Sequence, residues 1–211
     1  MSPLLMGLLG VMLVPLFLAT WRSSLLGLSL QGFLIAWAAY RLDPDLSAVG
    51  TWLTLGDLVL VRGIGTPLLL HRLMRSQKRG PRNDIIAPNL LSWTIAFGLV
   101  LAAFNLSAAL VPVDGDQRAI ISVAAAAVLL AFLVLASQST PFGQIVGALR
   151  LENGIALFGL GGEQRYHDGL VIELGQLAIV AGTVGLYVWL LRGFSETGSN
   201  PPLPSHDEPT L

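Results

Sequence analysis

The sequence predicts an all-α, polytopic membrane helix bundle of about seven transmembrane helices. Three observations predict it. Apolar residues make up 54% of the chain and charged residues only 12%, and the mean hydropathy is strongly positive, unlike an ordinary soluble domain. Seven apolar stretches approach the roughly 20 residues that a helix needs to cross the hydrocarbon core. The basic residues gather in one segment, His71-Arg72-Leu73-Met74-Arg75-Ser76-Gln77-Lys78-Arg79-Gly80-Pro81-Arg82, which the positive-inside rule assigns to the cytoplasm.

The spans are expected at Pro3–Thr20, Ser24–Tyr40, Val49–Leu70, Ala87–Val111, Ala119–Ala136, Phe142–Leu160 and Gly169–Leu191. The first is expected to be retained, because Met1 to Pro3 lacks the basic start of a signal peptide and the stretch runs into Trp21 and Arg22 without a small-residue cleavage site. The second carries Gln31 and ends at the acidic turn Asp43-Pro44-Asp45. The third contains Asp57 and Arg62, followed by Pro67, which is expected to kink the helix and free a backbone carbonyl near Gly63.

The fourth and fifth flank a second acidic turn, Asp114-Gly115-Asp116. In the sixth, Gly143 and Gly147 form a small-xxx-small pair that lets a neighbouring helix come close, and Arg150 and Glu152 sit near the middle. The seventh begins with Glu173 and ends near Trp189, which with Trp21 fits interfacial anchoring. With the basic segment inside, the amino terminus falls outside and the carboxyl terminus inside. Residues 1–193 then form the membrane domain, and 194–211, rich in Pro, Ser, Asp and Glu, a disordered cytoplasmic tail.

Composition excludes several chemistries. Without cysteine there are no disulfides, thiolate nucleophiles, iron–sulfur ligands or Cys-based zinc sites. The three histidines have no metal-ligand spacing, so neither a metal nor a cofactor is expected, and no nucleophile–base pair points to an enzyme in its own right. A net charge of −1 gives no reason to expect nucleic acid as a partner.

The intramembrane charges are the informative feature. An ionised side chain at the centre of a membrane helix costs about 2.5–3.5 kcal/mol on insertion scales, so it serves an ion path or a fixed pairing. Arg150 and Glu152 are two positions apart and project to nearly opposite sides of a helix, so each needs another partner. Arg62 lies at the depth of Glu152, and Asp57 lies nearer the outer surface on a different face of its helix. The economical pairing joins Glu152 to Arg62, with Arg150 answered by Asp57 or by another subunit. Two readings stay open: Glu152 as a protonatable site on a transmembrane route, or as a carboxylate locked to a guanidinium that does not deprotonate. Gln31, Asn153, Glu173, Gln176 and Thr183 are candidates for hydrogen bonds between helices.

The segments Ser137-Gln138, Gln144-Ile145-Val146-Gly147, Leu151-Glu152-Asn153-Gly154 and Val171-Ile172-Glu173-Leu174-Gly175, with Gln31, Arg62 and Pro67, resemble component E of hydrogenase-4, a membrane subunit of formate-hydrogenlyase-type complexes. The last two spans of that family are similar to the small K subunit of respiratory complex I, in which an intramembrane glutamate and a second acid on the next helix belong to a chain of charges between proton-pumping subunits. The resemblance assigns Glu152 to the first acid. It leaves the second at or near Ile179, with Glu173 about two turns outward, and it places Arg62 where relatives tend to have Lys. It implies a noncatalytic subunit of a redox-driven, proton- or sodium-translocating complex in a bacterial or archaeal cytoplasmic membrane, with antiporter-like membrane subunits as partners. Taken with the intramembrane charges, Glu152, Arg62, Asp57, Arg150 and Glu173 are the expected charge-relay residues. The rivals are a purely structural membrane subunit and a self-sufficient ion or solute transporter, for which the sequence offers no internal repeat.

Overall fold

A computed structural model describes residues 3–17, 21–42, 49–76, 90–110, 115–138 and 140–161, together with 175, 178–179, 181–186 and 188–189. Every regular element among the described residues is helical. Helix α1 spans Pro3–Phe17, α2 Trp21–Leu42, α5 Leu90–Leu110, α6 Asp116–Ser137 and α7 Pro141–Gly161. Between α2 and α5 runs one continuous helix in three parts: α3 (Val49–Gly56), a π-helical segment (Asp57–Gly65) and α4 (Thr66–Ser76). Residues 175, 178–179, 181–186 and 188–189 are also helical, within the seventh expected span.

Among the described residues, four helices are long and apolar enough to cross a membrane: Trp21–Leu42, Val49–Leu73, Leu90–Ala109 and Asp116–Ser137. The α1 helix is shorter, and α7 has the length but carries Gln144, Arg150, Glu152 and Asn153. The third span is expected from the sequence to end at Leu70, with the basic segment beyond it, whereas His71, Arg72 and Arg75 continue the helix to Ser76. Cations in a last helical turn face the negative end of the helix dipole, which favours this extension. The tail, the acidic turn at 43–45 and Glu173 lie outside the described residues.

Local chemistry sets the ends of the central pair of helices. Thr140 caps α7: its hydroxyl accepts the Gly143 amide at 3.1 Å, its carbonyl accepts the Gln144 amide at 3.0 Å, and Pro141 occupies the first helical position, where its missing N–H is no loss. At the start of α6, Gly115 adopts φ 98°, a left-handed conformation suited to glycine, and Asp116 lies in the positive first turn.

Helix α6 lies against α7, α5 and α1, while α2 lies against α1, α7 and the π segment. Lipid tails are as apolar as the side chains, so helices in a membrane associate through close backbone approach rather than water exclusion. The α6–α7 contact shows this. A Cβ on Gly147 would fall 2.9 Å from Leu135 Cδ2, on Gly154 3.1 Å from Val128 Cγ2, and on Gly161 2.7 Å from Ile121 Cγ1. These glycines recur every seventh residue, the period of a left-handed helix pair. Gly147 thus takes part in helix packing, and Gly154 and Gly161 join it along that face.

A candidate charged layer at mid-height in the bundle

The π segment is the structural origin of the site. Its amides bond five residues back, as the Thr66 N–H does to the Val61 carbonyl. Pro67 has no amide for the Gly63 carbonyl and its ring crowds that oxygen, which disfavours ordinary α winding. Gly65 accommodates the wider turn, since a Cβ there would stand 2.9 Å from the Leu60 carbonyl oxygen. The freed Gly63 carbonyl, expected from the sequence, accepts the Ser29 hydroxyl of α2. Gly32 permits this approach: a Cβ on it would come within 2.8 Å of the Gly63 backbone.

Winding decides which charges meet. In an α-helix residues five apart point about 140° away from each other, but a π turn, which bonds residues five apart, brings them to the same face. Arg62 Nε therefore lies 2.7 Å from Asp57 Oδ2, with the side chains only 5% and 11% exposed. Arg62 Nη1 also donates to Asn153 Oδ1 of α7 at 3.2 Å, and Asn153 Nδ2 reaches Gln31 Oε1 of α2 at 3.5 Å. The chain Asp57–Arg62–Asn153–Gln31 thus ties three helical elements together.

The apolar core places this layer midway along the helices. One cluster contains Ile35, Leu58 and Leu157, and a second contains Leu28, Leu70 and Leu149. Gln31 falls between Leu28 and Ile35, Arg62 between Leu58 and Leu70, and Asn153 between Leu149 and Leu157. The polar residues thus form a stratum separating the two apolar ones.

Arg150 is also buried and its Nη2 lies 3.4 Å from Ser24 Oγ. It shares with Gln31 the wall of a void of ≈ 10 Å³, at the lower limit for one water molecule. Glu152 is half-buried on another face of α7, hydrogen-bonded to Thr183 and within the field of both Arg62 and Asp57. Glu152 Oε2 and Asp57 Oδ1 are buried and make no hydrogen bond among the described residues.

The structure corrects the expected pairing. The ion pair among the described residues joins Arg62 to Asp57, so Asp57 does not answer Arg150, and Glu152 acts on Arg62 through the field rather than through contact. The α-helical spacing assumed for residues 57–65 caused the difference. Gln31, Asn153 and Thr183 do bond between helices, as their residue types suggested. Ser24 and Ser29 went unnoticed, since a serine within an apolar stretch carries little signal of its own.

Among the described residues no three His, Cys, Asp or Glu side chains gather as a metal site. What the layer offers chemically is one fixed cation, one acid held to it and a second acid at its edge. No protein-family model matches the chain, and no curated protein or solved structure matches it either.

Proposed function

We propose that this chain is a noncatalytic, multi-pass membrane subunit of a hydrogenase-4-like, complex-I-related assembly that couples redox chemistry to ion translocation. In this reading seven helices cross a bacterial or archaeal cytoplasmic membrane, with the amino terminus outside and the carboxyl terminus inside, and antiporter-like subunits pack around them. The observation that carries the reading is the buried Asp57–Arg62–Asn153–Gln31 layer at mid-height, with Glu152 at its edge. Ionisable groups at such a depth are costly and are kept for ion paths or coupling. Arg62 keeps its charge in practice, so it supplies a constant field, and Glu152 is the member whose proton occupancy changes that field for neighbouring subunits.

A structural role is the second reading, and one observation favours it: Arg62 is satisfied within the chain by Asp57 and Asn153, as a register-fixing pair would be. A solute carrier is less favoured, since the void beside Gln31 and Arg150 has room for no more than about one water. Glu152→Gln separates the two leading readings. In a coupling subunit the variant complex assembles and keeps redox turnover while ion translocation falls. An assembled variant with full ion-coupled activity contradicts the proposal, and failed assembly supports the scaffold.

A further inference from the structure

The bundle carries a second cavity, separate from the charged layer, and we infer that it is a binding groove for one zwitterionic phospholipid of the phosphoethanolamine type. The groove has a volume of ≈ 470 Å³ and lies where the start of α1, the end of α2 and the start of α6 come together. Its apolar walls include Leu5, Leu34, Ala38 and Ile120. Leu34 to Leu42 climb one wall by about 12 Å at 1.5 Å per residue, so the groove runs from inside the apolar zone towards a helix end. The exposed Trp37 stands beside it, as indole rings do at headgroup level.

Charge at the mouth selects the occupant. Arg41, in the last turn of α2, and Asp116, in the first turn of α6, both border the groove and are both exposed. They form no ion pair with each other; the pair among the described residues is Arg62–Asp57. Among the described residues one cation and one anion stand above the apolar slot, and they complement a lipid whose head carries a phosphate and a primary ammonium. The guanidinium takes the phosphate oxygens, in the fork geometry that Arg favours, and the carboxylate accepts from the ammonium. An acyl chain fills the slot. A trimethylated head lacks the N–H donors that Asp116 would bind, and an anionic head without an amine leaves Asp116 unanswered. This inference rests on the apolar helices and the groove and is independent of any redox partner.

The test uses the full chain, purified in mild detergent and reconstituted into nanodiscs containing equal parts phosphatidylethanolamine, phosphatidylcholine and phosphatidylglycerol. Native mass spectrometry then counts the lipid retained on ejection. The expected result is one phosphatidylethanolamine per chain, held about fivefold over the other two, in line with the net worth of one typical hydrogen bond at an exposed site. Arg41→Gln lowers retention of every phospholipid about tenfold, Asp116→Asn weakens the preference over phosphatidylcholine, and Ala38→Phe, which fills the slot, displaces lipid with both charges intact. Retained lipid matching the bulk mixture overturns the proposal. So does a profile unchanged by Arg41→Gln and Asp116→Asn, whose exposed positions spare the fold, or a copurifying polypeptide that shields the groove from cross-linking at Trp37.

Discussion

Arg62 holds the charged layer together, and the consequence is measurable one side chain at a time. Its guanidinium touches Asp57 on its own helix and Asn153 on α7. Removing one partner of a buried pair strands the other charge and costs about 3–5 kcal/mol, whereas removing both leaves no stranded ion. Thermal unfolding in detergent should therefore show Arg62→Gln as strongly destabilising, and Arg62→Gln with Asp57→Asn as milder than the sum of the two single changes by at least about 1 kcal/mol. Strict additivity would mean the two groups do not interact. Asn153→Leu takes an acceptor from Arg62 and a donor from Gln31, so it should cost about 1–3 kcal/mol on the same assay. The four charges were legible in the sequence because an ionised residue inside an apolar stretch is conspicuous in any register. Their partners were not, because pairing depends on winding: five residues separate Asp57 from Arg62, and only the wider turn brings them together.

At the scale of elements, the 49–76 helix and α2 form the unit that makes the layer possible. Where Gly32 meets the Gly63 backbone there is no room for a methyl group on Gly32, and the atoms in its way are backbone rather than a flexible side chain that could swing aside. Gly32→Ala is expected to push the π segment off α2, strain the Ser29 bond to the Gly63 carbonyl and cost at least the 1–3 kcal/mol of ordinary overpacking, about the reverse of a normal helix. Gly98→Ala provides the contrast. Gly98 meets nothing within 4 Å on α5, so alanine there should be neutral or stabilising by about 0.5–1 kcal/mol through helix propensity. Equal effects at both positions would show that the α2–π contact is not tight. The sequence carried a trace of this unit in Gly63 and Pro67, which foretold the freed carbonyl. It did not distinguish a proline kink from a π turn, since both relieve the same missing hydrogen bond. The α6–α7 seam was similarly half visible: Gly147 was noticed, but the seven-residue recurrence through Gly154 and Gly161 becomes meaningful only when Val128 and Ile121 are seen facing them.

At the scale of the whole molecule, the first six apolar stretches each correspond to a helix, and four of those helices have the length and composition to cross a membrane. Exposed side chains agree with lipid or partner helices outside: α5 buries Ala96, Ala103 and Ser107 in a stripe and exposes Leu91, Leu101 and Leu106. The proposed topology has seven crossings, an odd number, so accessibility tags at the two termini should report opposite sides of the membrane. Tags on the same side would remove one crossing and reverse the direction of either the groove or the basic segment. Hydropathy makes the helices legible because span length is fixed by bilayer thickness. The order of packing was less so, because side chains facing lipid and side chains facing another helix are equally apolar.

The central claim is that the layer serves a larger redox-driven assembly, and the most direct measurement is purification of the tagged full-length chain from its native membrane in mild detergent, with mass spectrometric identification of what comes with it. The account predicts antiporter-like membrane subunits in fixed ratio to this chain, together with a nickel–iron or quinone-reactive soluble arm. A chain recovered alone, or only as a homo-oligomer, under conditions that keep other membrane complexes whole would contradict it.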